Sequence, residues 1–399
     1  MPSRTIAAPC PPPALPKPAE LTLFGLCVAN AVYLAVALFQ GTWLVGPDGF
    51  PIATDFVNVW AGGKQALSGN TAAAYDPALH KAAEALALGR DFDGSYPWAY
   101  PPTFFFAAAP LALLPLSVAH VVWIAVTFGA FAAAMAGIMQ GRLGLAFACA
   151  FPAIVANATV GQNGFLTAAL IGGMLVRLDS RPVVAGILLG LLSYKPHFGV
   201  LIPLVLLAGD YWRALMAAAA TTLLLIAAAT LAFGFGAWEG FIEALRHASH
   251  ATLSEGLADF AKLQSLFGLM RLLGGSETVA FALQWMLAGA TAVLLCILWR
   301  SRAPFNLKAA GLAVGVLLAP PYLFMYDVVT LAVAMAFLFR EMQVSGPRPG
   351  EMATLGTALL LVLIFPVVKL PVGFIAAMVV AVLIARRALT SWMPRLRGA

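Results

Sequence analysis

A short polar segment, TDFVNVWAGGKQALSG at residues 54–69, carries side chains suited to chemistry near the start of the chain. Asp55 is its first acid, and Asn58, Lys64 and Gln65 follow closely. A carboxylate can take a proton from a hydroxyl group, while amides and a lysine can bind oxygen atoms. An Asp directly before a helical pattern also suits a helix N-cap, in which the carboxylate binds only backbone N–H groups. The segment therefore predicts either a reactive surface or an ordinary helix start.

Aromatic and acidic side chains surround this segment over residues 41–102. The pattern predicts helices from Asn58 to Leu67 and from Pro77 to Leu88. Aromatic rings beside carboxylates suit sugar binding, because a ring face packs on C–H groups while the acids take the hydroxyls. The same rings are typical of the boundary between water and lipid, which is the simpler interpretation on composition alone. The side chains concerned are Trp60, Tyr75, Tyr96, Trp98 and Tyr100, with Asp48, Asp55, Asp76, Glu84, Asp91 and Asp93.

The overall composition excludes a soluble globular domain. Of the 399 residues, 62% are hydrophobic and only 10% are charged, and the mean hydropathy is +0.91. Long Ala/Leu-rich runs approach or reach the ~20 residues that span a bilayer, and they do not alternate as barrel strands do. These runs are 21–39, 121–139, 214–236 and 279–299. The sequence predicts an all-α polytopic membrane protein with roughly 10 to 12 transmembrane helices.

Basic segments indicate the orientation of the predicted bundle. The segments 299–308, 339–351 and 386–398 are rich in Lys and Arg, which predicts a cytoplasmic location. Two long polar insertions, 41–102 and 237–264, then fall on the outer side.

The number of crossings is open in one part of the chain, between residues 103 and 208. The apolar run 183–208 is interrupted by Tyr194, Lys195, Pro196 and His197, so it predicts either one span or a re-entrant hairpin. Both alternatives keep the two insertions on the outer side.

The domain organisation follows from the same pattern. Residues 1–20 are predicted to be a disordered cytoplasmic tail, 21–388 a single transmembrane domain, and 389–399 a basic cytoplasmic tail. The net charge of +6 lies mostly at span ends, so no nucleic-acid partner is expected. The cysteines are scattered and indicate neither a disulfide framework nor a metal site; they are Cys10, Cys27, Cys149 and Cys296.

Six stretches carry a resemblance that composition does not show. They are DFVNVWAGGKQALSGNTAAAYDP (55–77), YPPTFFFAAAPLALLP (100–115), FPAIVANATVGQNGFLTAALIGG (151–173), AGILLGLLSYKPHFGVLIPLVLLAGDYWRAL (185–215), KLQSLFGLMRLLGG (262–275) and LLAPPYLFMYDVVTLAVA (317–334). In these stretches the chain resembles glycosyltransferase family 87, the polyprenyl-phosphate-sugar-dependent transferases of the multi-spanning GT-C class. The stretches follow the family order and are specific jointly.

The resemblance implies a GT-C-like helical bundle whose long first outer loop carries short helices. It implies transfer of a hexose-type sugar from a polyprenyl-phosphate carrier to a lipid or glycan acceptor, with inversion. The reaction would take place on the outer face of a bacterial-type inner (plasma) membrane. An acid in the first outer loop acts as general base, and the matching residue is Asp55. One carboxylate suffices because the lipid phosphate leaves already ionised, so no cofactor and no metal is expected.

Two basic residues are candidates for binding the donor phosphate. Lys195 lies within an apolar run, where a lysine is costly unless it pairs with an acid or reaches the interface. A lipid phosphate is one partner, and snorkelling toward headgroups is the alternative. Arg271 lies just inside the apolar run that follows KLQSLFG, as a second phosphate partner or as a headgroup anchor.

Further candidates for substrate binding lie in turns and at span ends. The amides of Gln162 and Asn163 in VGQNGF hold sugar or phosphate oxygens, or else they only cap a helix. His197 either contributes to binding or is a satisfied structural residue. Tyr322, Tyr326 and Asp327 follow a Pro-Pro break at an outer span end, and solvation is their alternative role. In the outer insertions the candidates are Asn58, Lys64 and Gln264, with Lys262 and Ser265 beside the last of these.

Two other classes of function fit the sequence less well. A Pro-broken span with a buried lysine also suits a transporter or a lipid flippase. The halves of the chain show no convincing internal repeat, and the long first outer loop is unusual for alternating access. A non-catalytic relative of the family is the third alternative.

Overall fold

The computed structural model describes residues 17–256 and 259–396, and the side chains of this range up to residue 390. Nineteen α-helices form the described part. They are α1 Lys17–Phe39, α2 Phe56–Leu67, α3 Pro77–Leu88, α4 Phe105–Leu111, α5 Leu116–Met139, α6 Arg142–Ala150, α7 Ala153–Val160, α8 Gly164–Arg177, α9 Pro182–Leu191, α10 Pro196–Gly199, α11 Leu201–Ala208, α12 Trp212–Phe233, α13 Gly236–Ser249, α14 Leu266–Leu272, α15 Glu277–Arg300, α16 Phe305–Leu318, α17 Val329–Ser345, α18 Glu351–Leu363 and α19 Val372–Leu396.

The fold class predicted from composition is confirmed, since the described residues form an all-α bundle. Extended backbone pairs there only at an isolated antiparallel bridge between Val45 and Pro51. The tail predicted for residues 1–20 lies outside the described residues up to residue 16, while Lys17 to Glu20 begin α1. At the other end α19 continues to Leu396, so residues 389–396 extend a helix.

Six described helices are long and apolar enough to cross a membrane, or seven if the bent pair of α6 and α7 counts as one span. The two helices of this pair meet at 69°. The predicted 10 to 12 crossings would therefore require spans built from the shorter apolar helices of 10–17 residues. The six long helices are Lys17–Phe39, Leu116–Met139, Trp212–Phe233, Glu277–Arg300, Met325–Ser345 and Val372–Thr390.

The interruption predicted within residues 183–208 is present. After α9, a 3-10 turn at Leu192–Tyr194 leads to Lys195, whose φ and ψ of −132° and 70° are not helical. Lys195 precedes Pro196, and a residue before proline is sterically disfavoured from the helical region. The chain therefore restarts as α10 and α11, and the break leaves Lys195 in an irregular turn.

The helix from Met325 to Ser345 forms the centre of the bundle, whereas Trp212–Phe233 and Glu277–Arg300 lie at its edge. In the central helix 72% of an 18-residue apolar stretch is buried inside the protein, against 17% of the corresponding stretch in each of the other two helices. A short 3-10 turn, Met325–Val328, opens the central helix ahead of α17. Polar residues in that first turn are therefore held inside protein rather than in lipid.

The first polar insertion folds against the bundle as two short helices, as predicted. The helix α3 begins at an N-cap, Asp76, whose carboxylate accepts from two backbone N–H groups, and it ends at Gly89 in the left-handed conformation. The helix α2 packs closely because two glycines face its neighbours. A Cβ on Gly62 would lie 2.5 Å from the Trp98 ring, and one on Gly63 would lie 2.2 Å from the Ala108 carbonyl oxygen.

Candidate active site

Asp55 lies at the start of α2, but its side chain makes no helix-capping hydrogen bond. Its Oδ2 instead accepts a hydrogen bond of 2.9 Å from Nε2 of Gln162, which is far away in sequence. Burial raises the pKa of Asp55, while the hydrogen bond from Gln162 and the charge of Lys262 act in the opposite direction. A carboxylate in this setting is a stronger base than one on an open surface.

Two glycines bring Gln162 to Asp55. Gly161 has a φ of +72°, and a Cβ there would lie 2.5 Å from Cβ of Phe56. Gly164 lies so close to the other side of the site that its Cβ would be 2.0 Å from the carbonyl oxygen of Tyr326. Because Gly161 combines a positive φ with the nearby Phe56 side chain, and Gly164 adjoins a backbone carbonyl, the GQNG turn needs glycine at both of its ends.

Hydrogen bonds continue from Gln162 across the site. The hydroxyl of Tyr100 donates to Oε1 of Gln162 at 3.0 Å and accepts from Nδ2 of Asn163 at 2.8 Å. Oδ1 of Asn163 accepts from Nζ of Lys195 at 2.8 Å. Asn163 precedes α8, yet its side chain makes no capping hydrogen bond. The two amides therefore join Asp55 to Lys195 instead of closing a helix.

Lys195 forms a buried ion pair with Asp327. Its Nζ donates to Oδ1 of Asp327, and the two residues are only 6% and 1% exposed. Oδ2 of Asp327 accepts from the backbone N–H of Phe324 at 3.2 Å. The ammonium also lies 5.2 Å from the centre of the Tyr326 ring and 5.1 Å from that of Phe198. Lys195 is thus held inside the bundle and does not snorkel to the interface.

Three further predicted residues lie around this cluster. The rings of His197 and Tyr322 are 6.3 Å apart, and Nε2 of His197 is buried without a hydrogen-bond partner in the described part of the chain. The ring of Tyr326 stacks on that of Phe324 at 5.5 Å. Burial raises the pKa of Tyr322, and the charges of Asp327 and Asp55 raise it further.

Two candidates in the first insertion have other partners. Asn58 donates to the carbonyl oxygen of Pro97 at 3.2 Å, and its Oδ1 lies 3.1 Å from Nε2 of His80. Lys64 is exposed on the last turn of α2, where its ammonium lies 5.4 Å from the centre of the Trp60 ring. The structure brings neither side chain into the Asp55–Lys195 cluster.

Two candidates after the second insertion also serve the packing of the chain. Gln264 is fully buried and bonds the carbonyls of Ala261 and Lys262 and the N–H of Gly373. Arg271 donates to the carbonyl oxygens of Gly275 and Ser254 and lies over the Phe260 ring. Their polar atoms fix backbone segments, because a buried amide or guanidinium needs partners wherever it lies. Ser265 similarly caps α14.

Tyr100 and the interior of the first insertion were not among the predicted site residues. Tyr100 is held by Tyr75, whose hydroxyl donates to its carbonyl oxygen at 2.9 Å. Behind α2 lies a buried group formed by His80 and Glu84, where both carboxylate oxygens of Glu84 accept from the N–H of Tyr96. Burial raises the pKa of Glu84 to about 7 and lowers that of His80 to about 4. A helical spacing of four residues was the only sequence signal for this pair.

The fold and the site define an integral membrane protein with a buried polar centre between its first insertion and its central helix. Among residues 17–256 and 259–396, no three His, Cys, Asp or Glu side chains come together as metal ligands. The centre offers a half-buried carboxylate, a lysine and several hydroxyl groups, which suit the binding of a polar, phosphate-bearing substrate.

Comparison with known families places this membrane protein among the glycosyltransferases. The profile of glycosyltransferase family 87 matches residues 98–321, which is more than half of the chain, and the protein belongs to this family. The matched range includes Tyr100, Gln162, Asn163 and Lys195, whereas Asp55 and Asp327 lie outside it. No curated protein and no solved structure matches the chain.

Proposed function

We propose that this membrane glycosyltransferase transfers a hexose-type sugar from a polyprenyl-phosphate carrier to a lipid or glycan acceptor, with inversion and with Asp55 as the general base. The observation that carries the proposal is the hydrogen-bonded chain that links the Asp55 carboxylate to the Lys195 ammonium. It combines a proton acceptor with a cation inside one buried centre of a glycosyltransferase. The centre faces the periplasm or exterior of a bacterial-type plasma membrane in this proposal.

In the proposed reaction, the acceptor hydroxyl attacks the anomeric carbon of the donor sugar while Asp55 takes its proton. The bond between the anomeric carbon and the phosphate oxygen breaks, and its electron pair stays with the polyprenyl phosphate. Lys195 stabilises the charge of the leaving phosphate, and Asp327 keeps the ammonium inside the bundle. His197, Tyr322 and Tyr326 border the same space and are proposed to bind sugar hydroxyls.

An apolar groove supports a lipid carrier as the donor. It has a volume of about 510 Å³ and runs between α12 and the segment from α9 to α11. Ser193 and Pro196, which flank Lys195 in the chain, line it together with side chains such as Leu192 and Leu215. Lys195 itself does not line the groove, and we propose that a prenyl chain bound there ends near the turn that carries this lysine.

The test is sugar transfer by the purified protein in lipid, with a panel of radiolabelled polyprenyl-phosphate sugars and membrane extract as the source of acceptor. Asp55→Asn is compared with Asp76→Asn, because Asp76 is an acid of the same insertion that caps α3, a role that Asn also fills. We expect transfer by the wild type and by Asp76→Asn only, and an inverted anomeric configuration in the product. Equal transfer by Asp55→Asn would remove Asp55 as the base, and accumulation of a labelled solute without transfer would favour a transporter.

A further inference from the structure

The hydrogen bonds between Lys195 and Asp55 all run in the same direction. A lysine ammonium can only donate, so Asn163 presents Oδ1 to Lys195 and its Nδ2 points the other way, to the hydroxyl of Tyr100. That hydroxyl accepts from Asn163 and therefore gives its single hydrogen to Oε1 of Gln162, which also accepts from the backbone N–H of Asn163 at 3.3 Å. With its oxygen engaged, Gln162 turns its NH₂ group to Asp55. The cation at one end thus orients the donor at the other.

Tyr100 is the link in which this direction is set. In the series of hydrogen bonds from Lys195 to Asp55, the Tyr100 hydroxyl both accepts and donates through the same oxygen, whereas each amide uses two different atoms. Its ring is fixed against Phe104 at 4.4 Å and Trp98 at 5.2 Å between ring centres. Burial and then the charge of Asp55 raise the pKa of Tyr100 well above its ordinary value, so the hydroxyl keeps its hydrogen.

We propose that Tyr100 is a positioning residue that acts through Gln162 to hold the Asp55 carboxylate ionised and aligned for the acceptor hydroxyl. The inference rests on the proposed function, because the alignment matters to catalysis only if Asp55 is the base. It goes beyond that function in assigning a role to a side chain that does not touch the reacting atoms. It also makes the state of Asp55 depend on the ammonium of Lys195.

The surroundings of Asp55 predict the sign of the effect. The charge of this carboxylate acts on Tyr96 and Tyr100 of the first insertion and on Tyr322 of the segment before α17, and raises the pKa of each. Lys262 is the cation whose charge acts on it. None of the tyrosines carries a charge near neutral pH, so hydrogen bonding from Gln162 is the main force against burial.

The experiment compares Tyr100→Phe with a matched control, Tyr194→Phe. Both rings pack on Phe104. The Tyr194 hydroxyl bonds Oγ1 of Thr167 at 2.7 Å and lies 3.4 Å from the backbone carbonyl oxygen of Asn163, so it touches none of the side-chain atoms that link Lys195 to Asp55. The protonation of Asp55 is followed by infrared titration of the carboxyl band that Asp55→Asn removes. The pH dependence of kcat/KM is measured on the same proteins.

We expect the midpoint of Tyr100→Phe to rise by about one pH unit, because a misaligned Gln162 loses part of its hydrogen bond to the charged Asp55. Its kcat should fall roughly tenfold with little change in KM. The acid limb of its pH profile should move upward with the infrared midpoint. Tyr194→Phe should keep the wild-type midpoint. An unchanged midpoint in Tyr100→Phe, or an equal rise in Tyr194→Phe, would overturn the inference.

Two features keep this test separate from that of the proposed function. The infrared titration needs no donor sugar, so it reports on Tyr100 even if no carrier supports transfer. Transfer by the wild type with an unchanged midpoint in Tyr100→Phe would refute only the positioning role. If Tyr100→Phe does not fold, Gln162→Met removes the amide through which Tyr100 acts on Asp55 and should raise the midpoint further; an unchanged midpoint there would overturn the inference.

Discussion

Two buried ion pairs lie at opposite ends of the central helix, and they are built differently. At its beginning Asp327 pairs with Lys195, and at its end Ser345 joins a pair formed by Arg387 and Glu351. Eighteen residues separate Asp327 from Ser345, which is about 27 Å along a helix. We refer to them as the Lys195 pair and the Arg387 pair.

The Arg387 pair is closed on itself. Nε of Arg387 donates to Oε1 of Glu351 at 2.6 Å, and Nη2 donates to Oε2. Two further guanidinium N–H groups donate to Oγ of Ser345 and to the carbonyl oxygen of Gly346, each at 2.7 Å. Glu351 also accepts from the N–H of Arg348. Such a bidentate pair joins α18 and α19 to the end of α17 and leads to no further side chain of a reactive kind.

The Lys195 pair continues into the site. Lys195 divides its hydrogen bonds between Asp327 and Asn163, and the chain from Asn163 ends on the half-buried Asp55. The comparison teaches that burial and pairing alone do not mark a functional charge. What distinguishes the Lys195 pair is that its hydrogen bonds lead to a carboxylate that is only half-buried, the proposed base Asp55.

The largest expected effect is on turnover, at Asp55, where the hydrogen bonds that start from Lys195 end. Asp55→Asn should reduce sugar transfer by about 10²- to 10⁴-fold, the usual contribution of a general base. Its melting temperature should equal or exceed that of the wild type. The pKa of Asp55 is higher in the folded protein than in the unfolded chain, so its ionised form lowers stability at neutral pH. A large fall in melting temperature would instead assign Asp55 a structural role.

Replacing the basic residue of each ion pair separates an effect on stability from an effect on turnover. Lys195→Met and Arg387→Met should each cost about 3–5 kcal/mol of unfolding free energy, because a buried carboxylate loses its partner. Only Lys195→Met should also abolish transfer per folded molecule. Chemical unfolding and a transfer assay normalised to folded protein measure the two quantities.

The paired variants are the control for this comparison. Lys195→Met with Asp327→Leu, and Arg387→Met with Glu351→Leu, should recover most of the lost stability, since an apolar pair of similar volume replaces an ion pair with little cost. Transfer per folded molecule should be normal in the Arg387 and Glu351 double variant and absent in the Lys195 and Asp327 double variant. Transfer by the latter variant would show that the Lys195 pair is also structural.

A smaller effect is expected at a third buried acid, Glu84, which accepts from a backbone N–H instead of a basic side chain. Its pKa rises from an ordinary 4.5 to about 7, so the stability linked to its protonated form is present below pH 4.5 and is lost as the pH rises through 7. Glu84→Gln should match the wild type at pH 4.5 and be more stable at pH 8, by up to about 3 kcal/mol. Equal stabilities at pH 8 would show that Glu84 ionises without cost. Thermal melts at the two pH values measure the difference.

The smallest effect is expected at Lys64, a charge outside both pairs. Lys64→Ala should change the unfolding free energy by less than about 0.5 kcal/mol, because its ammonium is exposed and lies only over the Trp60 ring. Transfer should be unchanged. A loss of transfer at normal stability would return Lys64 to the substrate-binding residues.

Part of the site could be predicted from residue types. A lysine within an apolar run is costly unless it has a partner, so Lys195 was identifiable from the sequence. Asp55 was identifiable because it is the first acid of the polar segment 54–69. Gln162 and Asn163 were identifiable as amides in a glycine-flanked turn. The sequence could not assign their partners, because Gln162 lies 107 residues from Asp55 and Lys195 lies 132 residues from Asp327.

Three further candidates have packing partners in the structure, and the sequence could not show this for the same reason. Asn58, Gln264 and Arg271 are polar groups in suitable segments, but an amide or guanidinium that binds backbone carbonyls looks the same in sequence as one that faces a substrate. Tyr100 was counted only with the aromatic residues of the first insertion. Its role depends on a single hydroxyl between two amides.

The sequence by itself determined the helical membrane class and the family, because hydropathy and joint motifs are properties of the chain read along its length. It also determined the break before Pro196, which follows from local sterics. Only the tertiary structure decided that Lys195 meets Asp327 and that Gln162 meets Asp55. A buried charge must find a partner, but which partner it finds depends on how the helices pack. Here the two glycines of GQNG, Gly161 and Gly164, let this turn come close to Phe56 and Tyr326, and so bring Gln162 to Asp55.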